Sequence, residues 1–150
     1  MAVFKFRLEA VLRLRQRFKE EKEGELLALN QARHSLETEI AALEQELRTM
    51  DEVLGAGIGE ILSVIDLKLA SQYTQRIDQG IKAKAATMTK LDAAIAGKRG
   101  ELVEALRGVK SLERLRERQT NKFRREQDSA EQKFTDEIAQ RKFVVGPSRK

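Results

Sequence analysis

Residues 55–59 read Gly-Ala-Gly-Ile-Gly, three glycines in five positions. Glycine weakens a helix interior and suits a turn, so this stretch is the expected hinge of the chain. Upstream of it, apolar residues step by three and four: Leu26, Leu29, Leu36, Ile40, Leu43, Leu47, Met50 and Leu54, with Arg33 as the one polar entry. Four heptads of this kind are a strong coiled-coil signal. Traced backwards, the stripe passes Lys22, Phe18, Arg15, Val11 and Leu8 to Phe4. The two steps of four between Phe18 and Leu26 form a stutter, which locally unwinds a supercoil. The expected first helix covers about 4–54.

Downstream, Ser63-Val-Ile-Asp66 has the form of a capping box with Asp replacing the usual Glu or Gln. A second stripe follows through Leu67, Ala70, Thr74, Ile77, Ile81, Lys84, Met88, Leu91, Ile95, Lys98, Leu102, Ala105, Val109 and Leu112. Gly80, Gly97, Gly100 and Gly108 fall beside it. Each weakens a helix by roughly 1 kcal/mol against alanine, which predicts a continuous but softened helix. Past Leu112 the stripe thins through Arg116 and Gln119 to Phe123, Glu126 and Ala130. Gly146-Pro147 ends any helix. The second helix is therefore expected over about 64–143, within a single hairpin of residues 1–145 followed by a disordered tail, 146–150.

Two long stripes joined by a short turn lie antiparallel and bury one another. The predicted fold is all-α, an elongated antiparallel two-helix coiled coil. A turn centred near residue 59 sets Leu54 opposite Asp66, Ile40 opposite Gln79, Leu26 opposite Ala93 and Phe4 opposite Leu115. Residues 117–143 are then left as a C-terminal helical overhang of roughly 40 Å.

Composition agrees. Of 150 residues 35% are charged, with one proline, no cysteine and no tryptophan, a balance typical of long helices. The absence of cysteine excludes disulfides and thiolate metal sites. No run of 18 apolar residues offers a membrane span, and the charged start lacks the apolar core of a secretion signal. Residues 1–60 carry 9 basic and 12 acidic side chains, whereas residues 61–150 carry 20 and 12. Eight bases lie in 107–125 against Glu113 and Glu117, and seven acids lie in 37–60 against Arg48. Antiparallel pairing brings the basic N-terminal run alongside 107–125, so the open end of the hairpin is positive and the turn end acidic. That polarity points to a binding role for the open end.

Catalytic chemistry is not legible. His34 is the sole histidine and reads as a surface residue. Gly97-Lys98-Arg99 lacks the spacing and the strand of a phosphate loop. The carboxylates are expected on solvated faces with unperturbed acidity, and no cofactor or metal is implied. A two-helix hairpin also lacks a pocket that excludes water. Bases interleaved with acids, and few aromatics, disfavour nucleic acid as a partner.

The opening FKFRLEAVLRLRQ, the segment KSLERLRERQ at 110–119 and DEIAQR at 136–141 resemble FliJ, a flagellar protein-export family. The resemblance implies a cytoplasmic, non-catalytic stalk, monomeric when free and peripheral to the inner membrane through its partners. It implies insertion of the open end into the hexameric flagellar export ATPase, contact with the membrane export-gate protein, and handling of export chaperones. By resemblance, Phe4, Arg13, Arg17, Arg114, Arg118, Phe123, Arg124, Phe134 and Ile138 are expected at the ATPase ring. The family's gate contact, an aromatic, a leucine, an alanine and a histidine spaced 4, 3 and 4, falls on Tyr73, Ile77, Gly80 and Lys84. Lys84 departs from the histidine. A virulence-system stalk and a self-associating coiled-coil adaptor are the alternative readings.

Overall fold

The computed structural model describes residues 2–57, 63–144 and 146. The chain is all-α. Helix α1 spans Glu9–Gly57 and helix α2 spans Val64–Val144, and the two pack antiparallel as a coiled-coil hairpin. The expected turn lies only partly on described residues: Gly55, Ala56 and Gly57 continue α1, while 58–60 lie outside them. The tail expected over 146–150 also falls outside them, apart from Gly146. Glycine lowers helix stability without forbidding a helix, and α1 runs on past the residue where it was expected to stop. Ser63 caps α2: its Oγ accepts from the Asp66 N–H at 3.1 Å and donates to the Asp66 carboxylate at 2.8 Å. Asp66 therefore serves the box as acceptor for the serine hydroxyl.

The later end of α1 displaces the pairing. Glu25 meets Lys98 at 2.7 Å, Glu39 meets Lys84 at 2.6 Å, and Leu43 packs against Gly80. These residue numbers each sum to 123, so α2 is set about one turn further along than a turn at residue 59 predicts.

Two compact units divide the chain, Glu20–Val103, and Met1–Lys19 with Glu104–Lys150. In the first, every α1 stripe position from Leu26 to Leu54 is half-buried, and Ile77 and Ile95 of α2 are fully buried. Arg33 fits this stripe because Asp92 accepts from its Nε at 2.6 Å and Glu37 lies 2.6 Å from its guanidinium. Further along, Lys22, Glu25, Lys98 and Glu101 form a closed ionic layer with contacts of 2.7 to 3.4 Å. Buried or half-buried polar layers of this kind specify register in coiled coils at some expense of stability.

In the second unit the stripe departs from expectation. Helix α1 starts at Glu9, not near Phe4, and Leu12 is fully buried where Val11 was expected. Val11, Arg15 and Phe18 stand exposed, while Gln16 and Lys19 take the half-buried positions. The cause is the start of the chain. Phe4-Lys-Phe-Arg-Leu8 alternates apolar and polar, and Phe4, Phe6 and Leu8 all face inward while Lys5 and Arg7 face out. That is a period of two, unsuited to a helix. Phe6, Leu12 and Val109 form the local core, with Phe4, Leu8, Leu112 and Leu115 packed around it. Five residues from Glu9 to Phe4 reach as far as the seven from Arg116 to Phe123 on α2. A helix, rising 1.5 Å per residue, could not do so. Phe4 consequently rests on Phe123 rather than Leu115, with ring centroids 5.6 Å apart. The uncovered part of α2 therefore starts later than residue 117; every residue of 128–144 is exposed.

Candidate functional site: the basic end and the Tyr73 face

The unit containing both termini carries 19 basic and 9 acidic residues, and the unit Glu20–Val103 carries 10 and 15. Charge is thus sorted by unit, net +10 against net −5.

Within the basic unit the nine expected ring residues fall into three groups. Phe4 and Phe123 are brought together and half-bury each other. Arg13, Arg17, Arg114, Arg118 and Arg124 are all exposed along the two helices. Arg13 lies 3.8 Å from Glu9, whose other oxygen is 3.6 Å from Arg116. Glu9 also stands in the first turn of α1, where a carboxylate complements the helix dipole. Phe134 and Ile138, one turn apart on the uncovered stretch, are 64% and 40% exposed. Two further apolar features of this unit lie outside the nine expected ring residues. Phe143 and Val144 are exposed at the end of α2, and Val11, Leu14 and Phe18 form an outward apolar stripe on α1. Val11 and Phe18 were read, together with Arg15 and without Leu14, as part of the inward face.

The four residues assigned to the gate contact are not equally available. Tyr73 is exposed and its hydroxyl donates to the Glu46 carboxylate. Ile77 is buried in the hairpin seam. Gly80 lies against Leu43, whose Cδ1 would stand 3.7 Å from an added Cβ. Lys84 is held by Glu39. Of the four, only Tyr73 presents a large exposed apolar side chain.

Electrostatics elsewhere correct the expectation of unperturbed carboxylates. The hydrogen bond from Lys98 holds Glu25 below the usual glutamate range, and the bond from Lys22, then that from Lys98, does the same for Glu101. Lys98 is raised in return, first by Glu25 and then by Glu101. Asp92 raises Arg33. These shifts follow from ion pairing within each helix and across the seam. His34 is exposed, 4.0 Å from Glu37. Among the described residues no group of three or more His, Cys, Asp or Glu is placed to hold a metal ion, and no helix is long and apolar enough to cross a membrane.

No curated protein and no solved structure shows a significant match to the chain. The family model described as flagellar FliJ protein matches residues 4–148, nearly the full length. With an all-α hairpin, a basic end and an uncovered C-terminal helix already in view, that match settles the assignment: the chain belongs to the flagellar FliJ family, whose members are components of the flagellar export apparatus.

Proposed function

We propose that the protein is a non-catalytic cytoplasmic stalk of the export apparatus. It inserts its basic end into the hexameric export ATPase, promotes ring assembly and couples the ring to the membrane export gate, and it escorts export chaperones. It reaches the inner membrane only through these partners and is a monomer when free. The observation that carries this reading is the uncovered stretch of α2. Over Asp128 to Val144 no residue is covered by α1, yet Phe134, Ile138, Phe143 and Val144 are apolar. An 81-residue helix whose last turns bury nothing within the chain gains its packing from another molecule. The exposed arginines beside it favour a ring lumen of opposite charge, where distributed electrostatics guide entry more than individual contacts do.

The test is ATPase activity and ring formation of the cognate export ATPase with and without this protein at low salt. Stimulation of both, weakened by Arg114→Glu with Arg118→Glu, is the expected result. No change at micromolar concentration overturns the proposal.

A further inference from the structure

Residues 2–8 read Ala-Val-Phe-Lys-Phe-Arg-Leu, with two bases and no acid. Phe6 is buried and Phe4 and Leu8 are half-buried in the cluster on α2, whereas Lys5 and Arg7 face out. Among the described residues the earliest backbone hydrogen bond is the one that the Glu9 N–H donates to the Phe6 carbonyl, at 3.2 Å. Residues 2–5 therefore form a strap held by apolar side chains. They can peel from α2 without breaking a backbone bond, and the contact given up first is that of Phe4 with Phe123.

Charge opposes what these apolar contacts hold. The strap lies on the part of α2 where 107–125 carry eight bases against Glu113 and Glu117. Lys5 and Arg116 line one groove with Phe4, Phe6, Glu9 and Thr120. Glu9 is the acid of that groove, and it is already shared between Arg13 and Arg116. Among the described residues no ion pair engages Lys5 or Arg7. Closing the strap concentrates like charge, which an acidic surface or dissolved salt relieves.

We propose that the closure of residues 2–8 onto α2 is coupled to the binding of an acidic protein surface. The closed strap gathers Lys5 and Arg7 beside the bases of α2, so this form binds such a surface more tightly. The surface stabilises the closed form by the same factor in return. Closure also decides what α2 shows. The closed strap covers Phe123 and leaves Phe134 and Ile138 exposed beyond it; the open strap adds Phe4 and Phe123 to them. A protein surface is favoured over nucleic acid because Glu9, Glu113 and Glu117 stand among the bases and repel phosphates. The coupling is a property of this chain and is independent of the stalk reading. Its salt response has a distinctive sign: ion pairs across the seam weaken as salt rises, whereas the strap tightens.

The chain has no tryptophan, so Phe4→Trp in the full chain reports on the strap through acrylamide quenching. Quenching should fall as salt rises from about 10 mM to about 1 M, over which the screening length shrinks from about 30 Å to about 3 Å. Polyglutamate added at the low-salt end should lower it likewise. The open-to-closed ratio should change by at least about twofold, the effect of two exposed charges. Adding Lys5→Glu with Arg7→Glu should reverse the salt response and remove the closing effect of polyglutamate, with helical ellipticity unchanged because both side chains are exposed. Phe123→Ala in the tryptophan background should raise quenching throughout; no rise would show that the strap rests elsewhere and would overturn the proposal. It is equally overturned if the charge-reversed chain responds to salt as its parent does, if polyglutamate raises quenching, or if duplex DNA lowers it where polyglutamate does not.

Discussion

Leu12 and Val11 are adjacent in the chain and differ by one methylene, but α1 buries the first completely and leaves the second 41% exposed. Leu12→Ala should therefore cost about 2–5 kcal/mol in urea unfolding, while Val11→Ala should remain within about 0.5 kcal/mol. Equal costs would mean that the stripe read from sequence, through Val11, Arg15 and Phe18, is the packed one after all. Phe123→Ala should remove the ring pair with Phe4 and lose about 0.5–1.5 kcal/mol beyond its area. Acid should act on the ionic layer. Glu25 and Glu101 have folded pKa values below the ordinary 4.5, so their stabilisation is complete above that value and is lost as pH falls through the depressed values. The thermal midpoint should decline in that window, and Glu25→Gln should flatten the decline. These carboxylates could not be singled out from sequence, because their acidity depends on partners some 75 residues away in the chain.

At the scale of the element, most of both helices was legible. The stripe from Leu26 to Leu54, and that from Ala70 to Leu112, are the faces that pack, because period 3.5 leaves a leucine-rich surface no other way to bury itself. Two places resisted. Helix α1 continues through Gly55 and Gly57, where a turn was expected, since propensity sets an energy and not a boundary. The start of α1 was misread because Phe4 and Leu8 fit a heptad as well as they fit an alternation, and only contact with Val109, Leu112 and Leu115 decides between them. Glycines within α2 give a graded prediction. A Cβ at Gly97 or Gly100 meets nothing within 4 Å, so alanine at either should raise stability by about 1 kcal/mol. At Gly108 a Cβ would come within 3.2 Å of the Arg15 side chain, so alanine there should yield less. Thermal melts of the three variants check the order.

At the scale of the whole molecule, charge and coverage divide the labour. One unit is basic and ends in an uncovered helix; the other is acidic and bears the Tyr73 face. Truncation after Gln127 should reduce helical ellipticity but leave the urea midpoint nearly unchanged, because 128–144 bury nothing. If the proposed stalk role holds, the same truncation should also abolish the stimulation of the export ATPase expected of it. A large fall in the midpoint would show that the segment is covered in solution. Composition and charge runs made the polarity visible in advance. Within the expected gate contact the stripe already set Ile77 and Lys84 inward and left Tyr73 beside it, whereas the pairing of Lys84 with Glu39 and of Tyr73 with Glu46 was not visible, because both partners lie on the other helix.

The ionic layers also bear on how the two helices hold their register. Sliding α2 by one heptad in one direction would bring Glu25 to Leu91, Arg33 to Ala85 and Glu39 to Ile77. Sliding it the other way would bring Arg33 to Arg99 and Glu39 to Leu91. Either slip breaks the bridges Glu25–Lys98, Arg33–Asp92 and Glu39–Lys84 together. A seam built only of leucines would carry no such marks of register, whereas here the three bridges single out one alignment of the two helices.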